Sequence, residues 1–147
     1  MNAENMNTVK SDNMNIEEIV DNFSLFDDWE DRYRYLIDLG GRLTPMDEAL
    51  KTEETRVRGC MSQVWIVLRW DENQRLSLLA DSDAQIVKGL IAVLIAIFQG
   101  RTVQEIESIN IDNIFSKLGL DQHLSPNRRN GFYAMVERVR TFTSSHT

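Results

Sequence analysis

The whole sequence holds one thiol. Cys60 lies in the run Arg56-Val57-Arg58-Gly59-Cys60-Met61-Ser62-Gln63-Val64-Trp65, and a deprotonated cysteine is a potent nucleophile at neutral pH. Gly59 just before it opens backbone torsions closed to other residues. That places the thiol on a turn ahead of a strand and not within an apolar element. Arg56 and Arg58 are near in sequence, and a guanidinium beside the sulfur would favour the thiolate. The bland alternative is an inert buried cysteine, the commoner fate of a free thiol; the local context leaves both open.

Which chemistry would such a thiol serve? A zinc or iron–sulfur centre needs three or four convergent ligands. The chain offers one Cys and two His, His123 and His146, so no metal site is expected. A cysteine hydrolase needs a base, and His123, two residues after Asp121, is the one candidate. Its plain reading, in the polar run Gln122 to Asn127, is a loop residue that caps a helix or meets solvent. Sulfur transfer and redox chemistry remain. A persulfide on Cys60 would be resolved by any neighbouring thiol, with loss of sulfide. The absence of a second cysteine therefore suits sulfur carriage better than redox sensing, which usually uses a resolving thiol.

The elements that must hold Cys60 are legible in the hydrophobic pattern. The chain has 147 residues, about one domain, with 42% apolar and 27% charged residues. Its net charge of −7 argues against a phosphate-binding nucleic-acid surface. Residues 1–54 hold five basic and fourteen acidic groups, and residues 55–147 eleven and nine, an asymmetry able to orient a protein partner. The lone cysteine and the absence of a signal-like N-terminus point to a reducing, cytoplasmic setting. The most apolar stretch, Gly89 to Phe98, is far short of the roughly 20 residues a membrane helix needs. Residues 1–14 read as a polar tail, 15–142 as a single domain and 143–147 as a C-terminal tail.

Within the domain, Asn15 and Glu18 form a capping-box pair before a helix carrying Ile16, Ile19, Val20 and Phe23 on one face. A second helix follows Asp27-Asp28, with Trp29, Tyr33, Leu36 and Ile37 as its buried stripe and Gly40-Gly41 as its C-cap. Thr44-Pro45-Met46-Asp47 reads as a short helix start. Ser62 to Trp70 and Arg75 to Ala80 read as an antiparallel hairpin, and Thr55 to Val57 as a third strand. Asp81-Ser82-Asp83 caps a helix apolar almost all round, the expected central helix of the core. Thr102 to Ile109 and Asn110 to Leu118 are shorter helices, Gly119 a C-cap. A last helix after Ser125-Pro126 buries Phe132, Met135, Val136 and Val139. Helices, a small antiparallel sheet of about three strands, then helices again make an α+β architecture.

The segment VRGCMSQVWIV resembles the signature of the SufE family, the sulfur acceptors of iron–sulfur cluster assembly. NFSLFDDWEDRYRYLIDLGGRL before it, and ADSDAQIVKGLIAVL and QHLSPNRRNGFYAMVERVR after it, extend the resemblance from about Asn15 to Arg140. The resemblance implies the fold shared with IscU-type scaffolds. It also implies a persulfide relay: a pyridoxal-phosphate cysteine desulfurase of the SufS type passes sulfur to Cys60, is stimulated by doing so, and the sulfur moves on to a SufBCD-type scaffold. On this view the chain is not itself an enzyme and holds no cofactor, pyridoxal phosphate being the partner's. A second copy of the chain is a further partner the sequence leaves open. Ser62 and Gln63 match the family motif as residues that orient the loop, beside the plain reading of strand-start hydrogen bonding. Arg128 matches a family-typical arginine that steadies the thiolate or the docking surface, beside the plain reading of a solvated helix residue. Gly59 is the expected hinge for delivery. A stand-alone cysteine enzyme using Cys60 and His123 is the alternative from another class.

Overall fold

In the computed structural model, residues 15–58 and 62–146 are described. The Asn15 side chain accepts from the Glu18 N–H at 2.9 Å, and the Glu18 carboxylate accepts from the Asn15 N–H at 3.1 Å. This reciprocal cap starts helix α1 (Ile16–Ser24). Asp28 caps α2 (Trp29–Gly41) through the Asp31 N–H at 2.9 Å. After a single 3-10 turn at Glu48–Leu50 come strands β1 (Val64–Trp70) and β2 (Leu76–Ser82). Then follow α3 (Gln85–Phe98), α4 (Val103–Glu107), α5 (Ile111–Lys117), α6 (Leu120–His123) and α7 (Pro126–His146).

β1 and β2 pair antiparallel in a register from Val64↔Ser82 to Trp70↔Leu76. The period of two sorts their side chains. Val64 and Ile66 on one strand, and Leu76, Leu78 and Ala80 on the other, are buried in the core. Asp71 makes the turn tight: its carboxylate accepts from the N–H groups of Asn73 at 2.8 Å and Arg75 at 3.0 Å. Helix α3 is buried on nearly every side, with Leu90, Ile91, Val93, Leu94, Ile97 and Phe98 almost inaccessible. It is the centre of the molecule, as its all-round apolar sequence requires.

The closest helix packing is α2 on α3, through glycine. A Cβ on Gly40 would lie 2.7 Å from the Gly89 nitrogen and 2.8 Å from the Lys88 carbonyl carbon. Backbone meets backbone there, and no side chain fits between. This explains a departure from the expected C-cap: α2 continues through Gly40 and Gly41, and Arg42 is the cap. It also turns the helix, so that Leu36, Leu39 and Gly40 face inward while Ile37 stays exposed at 37%.

Other expectations are corrected in the same way. Pro45 starts no helix; Asp47 caps the 3-10 turn through the Ala49 N–H at 3.2 Å. Asp81 and Ser82 belong to β2, not to a helix cap, and α3 begins at Gln85 with no side-chain cap on Ala84. The segment 143–146 is helix, not tail: Thr143 is buried, and Trp70 stacks on Phe142 and His146 at 5.6 and 4.2 Å. The third strand is reduced to one bridge, Arg56↔Trp65. Residues 1–14 lie outside the described residues.

The two neighbouring glycines of α2 should behave oppositely. Gly40→Ala forces the helices apart, and a loss of roughly 1–3 kcal/mol is expected, as for other overpacked sites. At Gly41 an added Cβ meets nothing within 4 Å, so Gly41→Ala should stay within about 0.5 kcal/mol of the wild type or exceed it. Urea unfolding of the two variants distinguishes them.

Candidate functional site

Gly59, Cys60 and Met61 lie outside the described residues. The residues that bracket them, Arg58 and Ser62, are described, and so are the contacts that hold both ends of the interval. On the first side, the Val57 N–H donates to the Val64 carbonyl at 2.8 Å, and the Ile66 N–H donates to the Thr55 carbonyl at 2.8 Å. Thr55 and Val57 therefore turn one row of backbone groups toward β1. The alternate row, on Glu54 and Arg56, faces away. In a fuller sheet another strand would satisfy it. Here the guanidinium of Arg138 on α7 does so, with Nη1 donating to the Arg56 carbonyl at 2.9 Å and Nη2 to the Glu54 carbonyl. Two parallel donors in a rigid fork suit this task in a way a lysine does not.

Lys51 anchors the same segment further back. Its ammonium lies 2.8 Å from Glu48, 3.0 Å from Asp81 on β2, and 5.1 Å from the centre of the Trp65 ring. The hydrogen bonds to Glu48 and Asp81 hold the Lys51 pKa above its usual value of 10.5. Burial pushes the Asp81 carboxyl up, but the bonds from Lys51 and the Ser82 N–H outweigh it and hold the group below its ordinary 3.8.

On the second side, Gln63 is tied through its backbone. Its N–H donates to the Asp83 carboxylate at 3.1 Å, and its carbonyl accepts from the Asp83 N–H at 3.3 Å. Asp83, read from sequence as part of a helix cap, thus works as a clasp on the strand that leads away from the cysteine. The hairpin register placing residues 63 and 83 side by side is the signal that would have found it. Arg138 had no comparable signal, being 82 residues from Arg56 in the chain.

The structure brings Arg128 to this end of the sheet. With Val64, Val87, Leu90, Phe132 and Met135 it lines a cavity of about 20 Å³, roughly one water's worth. Val64 and residues of α3 give this small cavity an apolar lining. Ser62 is half-buried, and Gln63 is exposed with its backbone engaged. Arg58 is exposed and paired with Glu53 at 2.7 Å. His123 belongs to a different cluster and to helix α6, not to a loop. Its ring stacks on Trp29 at 4.0 Å, and its carbonyl accepts from the Tyr33 hydroxyl at 2.7 Å. No group of three or more His, Cys, Asp or Glu side chains suited to a metal ion occurs among the described residues. No helix there is long and apolar enough to cross a membrane.

A small two-stranded sheet under an apolar central helix, with clasped backbone on either side of the interval that holds the one cysteine of the sequence, defines an α+β protein. Comparison with known proteins is specific about which. A family model described as the SufE Fe-S metabolism associated domain matches residues 17–143. An uncharacterised SufE-like protein of Rhizobium meliloti (strain 1021) is 44% identical over 129 residues, covering 86% of this chain and 92% of the relative. One from Rhizobium etli is 45% identical over 128 residues, covering 85% and 86%. The solution structure of a hypothetical protein from Thermus thermophilus shares the fold, with a TM-score of 0.71 at 17% identity over 88% of this chain and 93% of that one. The chain belongs to the SufE family, and its role lies in sulfur transfer for iron–sulfur metabolism.

The two clasps give distinct expectations. Arg138→Met leaves two backbone carbonyls without their donor, and a loss of about 1–3 kcal/mol is expected. Amide exchange at Val57 and Ile66 should accelerate more than exchange in α3. For the Lys51–Asp81 pair the signs are opposite. The lowered Asp81 pKa gives stability that is complete above 3.8 and fades as pH falls below it, while the raised Lys51 pKa gives stability present below 10.5 and lost above it. Asp81→Asn should therefore be less stable than the wild type near neutral pH, and the gap should narrow as pH falls below about 4. A pH series of urea midpoints would show a constant gap if the pair were not coupled.

Proposed function

We propose that this chain takes the terminal sulfur of a cysteine desulfurase persulfide onto Cys60, stimulates that enzyme by clearing it, and passes the sulfur to an iron–sulfur cluster scaffold. The observation that carries this is the lone thiol: in a member of a sulfur-transfer family, Cys60 is the one residue able to hold a sulfane sulfur, and no second cysteine can resolve it. In the transfer step the Cys60 thiolate attacks the outer sulfur of the partner's Cys–S–SH. A new S–S bond forms as the old one breaks, the partner's thiolate leaves, and the proton stays on the outer sulfur. No external oxidant or reductant enters.

The partner is a pyridoxal-phosphate desulfurase of the SufS type, and the recipient a SufBCD-type scaffold. The chain itself carries no cofactor and works in a reducing, cytoplasmic compartment. The chain's part is to present the thiol. Clasps at Arg138 and Asp83 hold the residues that flank the interval, which supports docking against flanks that are already fixed. The position of His123 on Trp29, in a cluster separate from these clasps, favours the relay over a stand-alone cysteine enzyme.

Intact mass spectrometry after incubation with the desulfurase and free cysteine tests the reading. The expected result is a gain of one sulfur on Cys60, removed by a reducing agent. Cys60→Ser should dock but gain nothing, since a hydroxyl is a far poorer nucleophile. His123→Ala should accept sulfur normally. Full stimulation of the desulfurase by Cys60→Ser would replace the relay with an allosteric effect.

A further inference from the structure

If the chain works by the relay proposed above, the two sulfurs must touch, so a desulfurase must seat on the surface around Gln63 and its clasp Asp83. A stable interface covers about 800 Å² on each partner, a patch on the order of 16 Å in radius. From Asp83 the chain runs directly into the first turn of α3, and Lys88 is about 8 Å further along at the helical rise. At that turn Gln85 and Lys88 meet Ile37, Asp38, Gly41 and Arg42 from the end of α2, around a surface groove of about 490 Å³.

Three features set this groove apart. Ile37 is one of two large apolar side chains left exposed among the described residues, the other being Leu25, and it lines this groove. Gly41 has no packing reason to be glycine, since an added Cβ meets nothing within 4 Å and its φ is not positive. A side chain there would strengthen the helix but fill the groove. The charges are the third feature. Arg42 is exposed and makes no ion pair among the described residues, while Lys88 lies 3.7 Å from an Asp81 carboxylate that Lys51 already holds at 3.0 Å. In a chain of net charge −7, this is a local cationic rim with Asp38 as its one acidic member.

We propose that this groove is the docking surface for the desulfurase. The partner places an apolar side chain over Ile37 and the bare backbone at Gly41, and sets carboxylates against Arg42 and Lys88.

Gly41→Trp is the test, because it fills the groove without disturbing the core. Binding of the full chain to a pyridoxal-phosphate cysteine desulfurase is measured by calorimetry, and the half-saturating concentration for desulfurase stimulation is measured beside it. Gly41→Trp should melt like the wild type, weaken binding about tenfold or more, and raise the half-saturating concentration in step, with the rate at saturation kept. Arg42→Glu and Lys88→Glu should each weaken binding and flatten its dependence on salt. Ser116→Trp, an exposed control on α5 outside the groove, should bind as the wild type does. If Gly41→Trp binds within about twofold of the wild type while sulfur reaches Cys60, this surface is wrong and the relay stands. If the wild type neither binds the enzyme nor gains sulfur, the relay and the surface fall together.

Discussion

The contact on which the rest of the molecule depends is the crossing of α2 and α3 at Gly40 and Gly89. Helix α3 is apolar on nearly every side and must be covered on nearly every side. Glycine on both helices lets one backbone lie against the other, so α2 covers α3 at the smallest separation available to it. The crossing fixes where α3 begins. It therefore fixes Asp83, two residues before that start, and with it the Gln63 end of the cysteine interval. The same approach leaves Gly41 and Ile37 on the rim of a groove, because both lie on the flank of α2 beside the buried stripe of Leu36, Leu39 and Gly40.

The residues on either side of the cysteine interval are held by polar contacts to the backbone as well as by the burial of Val57 and Val64. A third strand would have satisfied the outward carbonyls of Glu54 and Arg56; one arginine from the last helix does so instead. Side-chain bonds to backbone are individually modest, and so are partly exposed ion pairs such as Lys51–Asp81. Glu54, Arg56 and Gln63 are fastened through individual backbone groups, whereas α3 is fastened by close packing on nearly every side. That division separates a closely packed core from flanking residues held by individual bonds.

Charge follows the same division. The acidic excess belongs to the N-terminal third, while the cationic groups of consequence gather around the two ends of the cysteine interval. Lys51 and Arg138 bond within the fold, Arg128 lines the small cavity beside Val64, and Arg42 and Lys88 line the surface groove. Sequence proximity alone pointed to Arg56 and Arg58 as the charges near the thiol. In the fold Arg58 pairs with Glu53, and the Arg56 backbone carbonyl accepts from Arg138.

By itself the sequence determined the class of the fold, the central helix, the hairpin, the capping box at Asn15, the inner face of α7 and the lone thiol with its family motif. These are local matters: period, capping chemistry and residue count within a few turns of chain. What only the tertiary structure decided is how distant segments meet. Ile37 looked buried because its spacing fits the stripe, yet the glycine crossing rotates α2 and exposes it. His123 looked like a loop residue, yet Trp29 recruits it into a stacked pair across some ninety residues of sequence. Arg138 gave no local sign of holding the cysteine segment, because a hydrogen bond between residues 82 apart leaves no periodic trace. The chain ends looked polar enough for a tail, yet Trp70 packs on Phe142 and His146 and draws the helix on through Thr143. Periodicity reports which residues prefer water; which apolar and polar groups find each other is decided when the backbones come into contact.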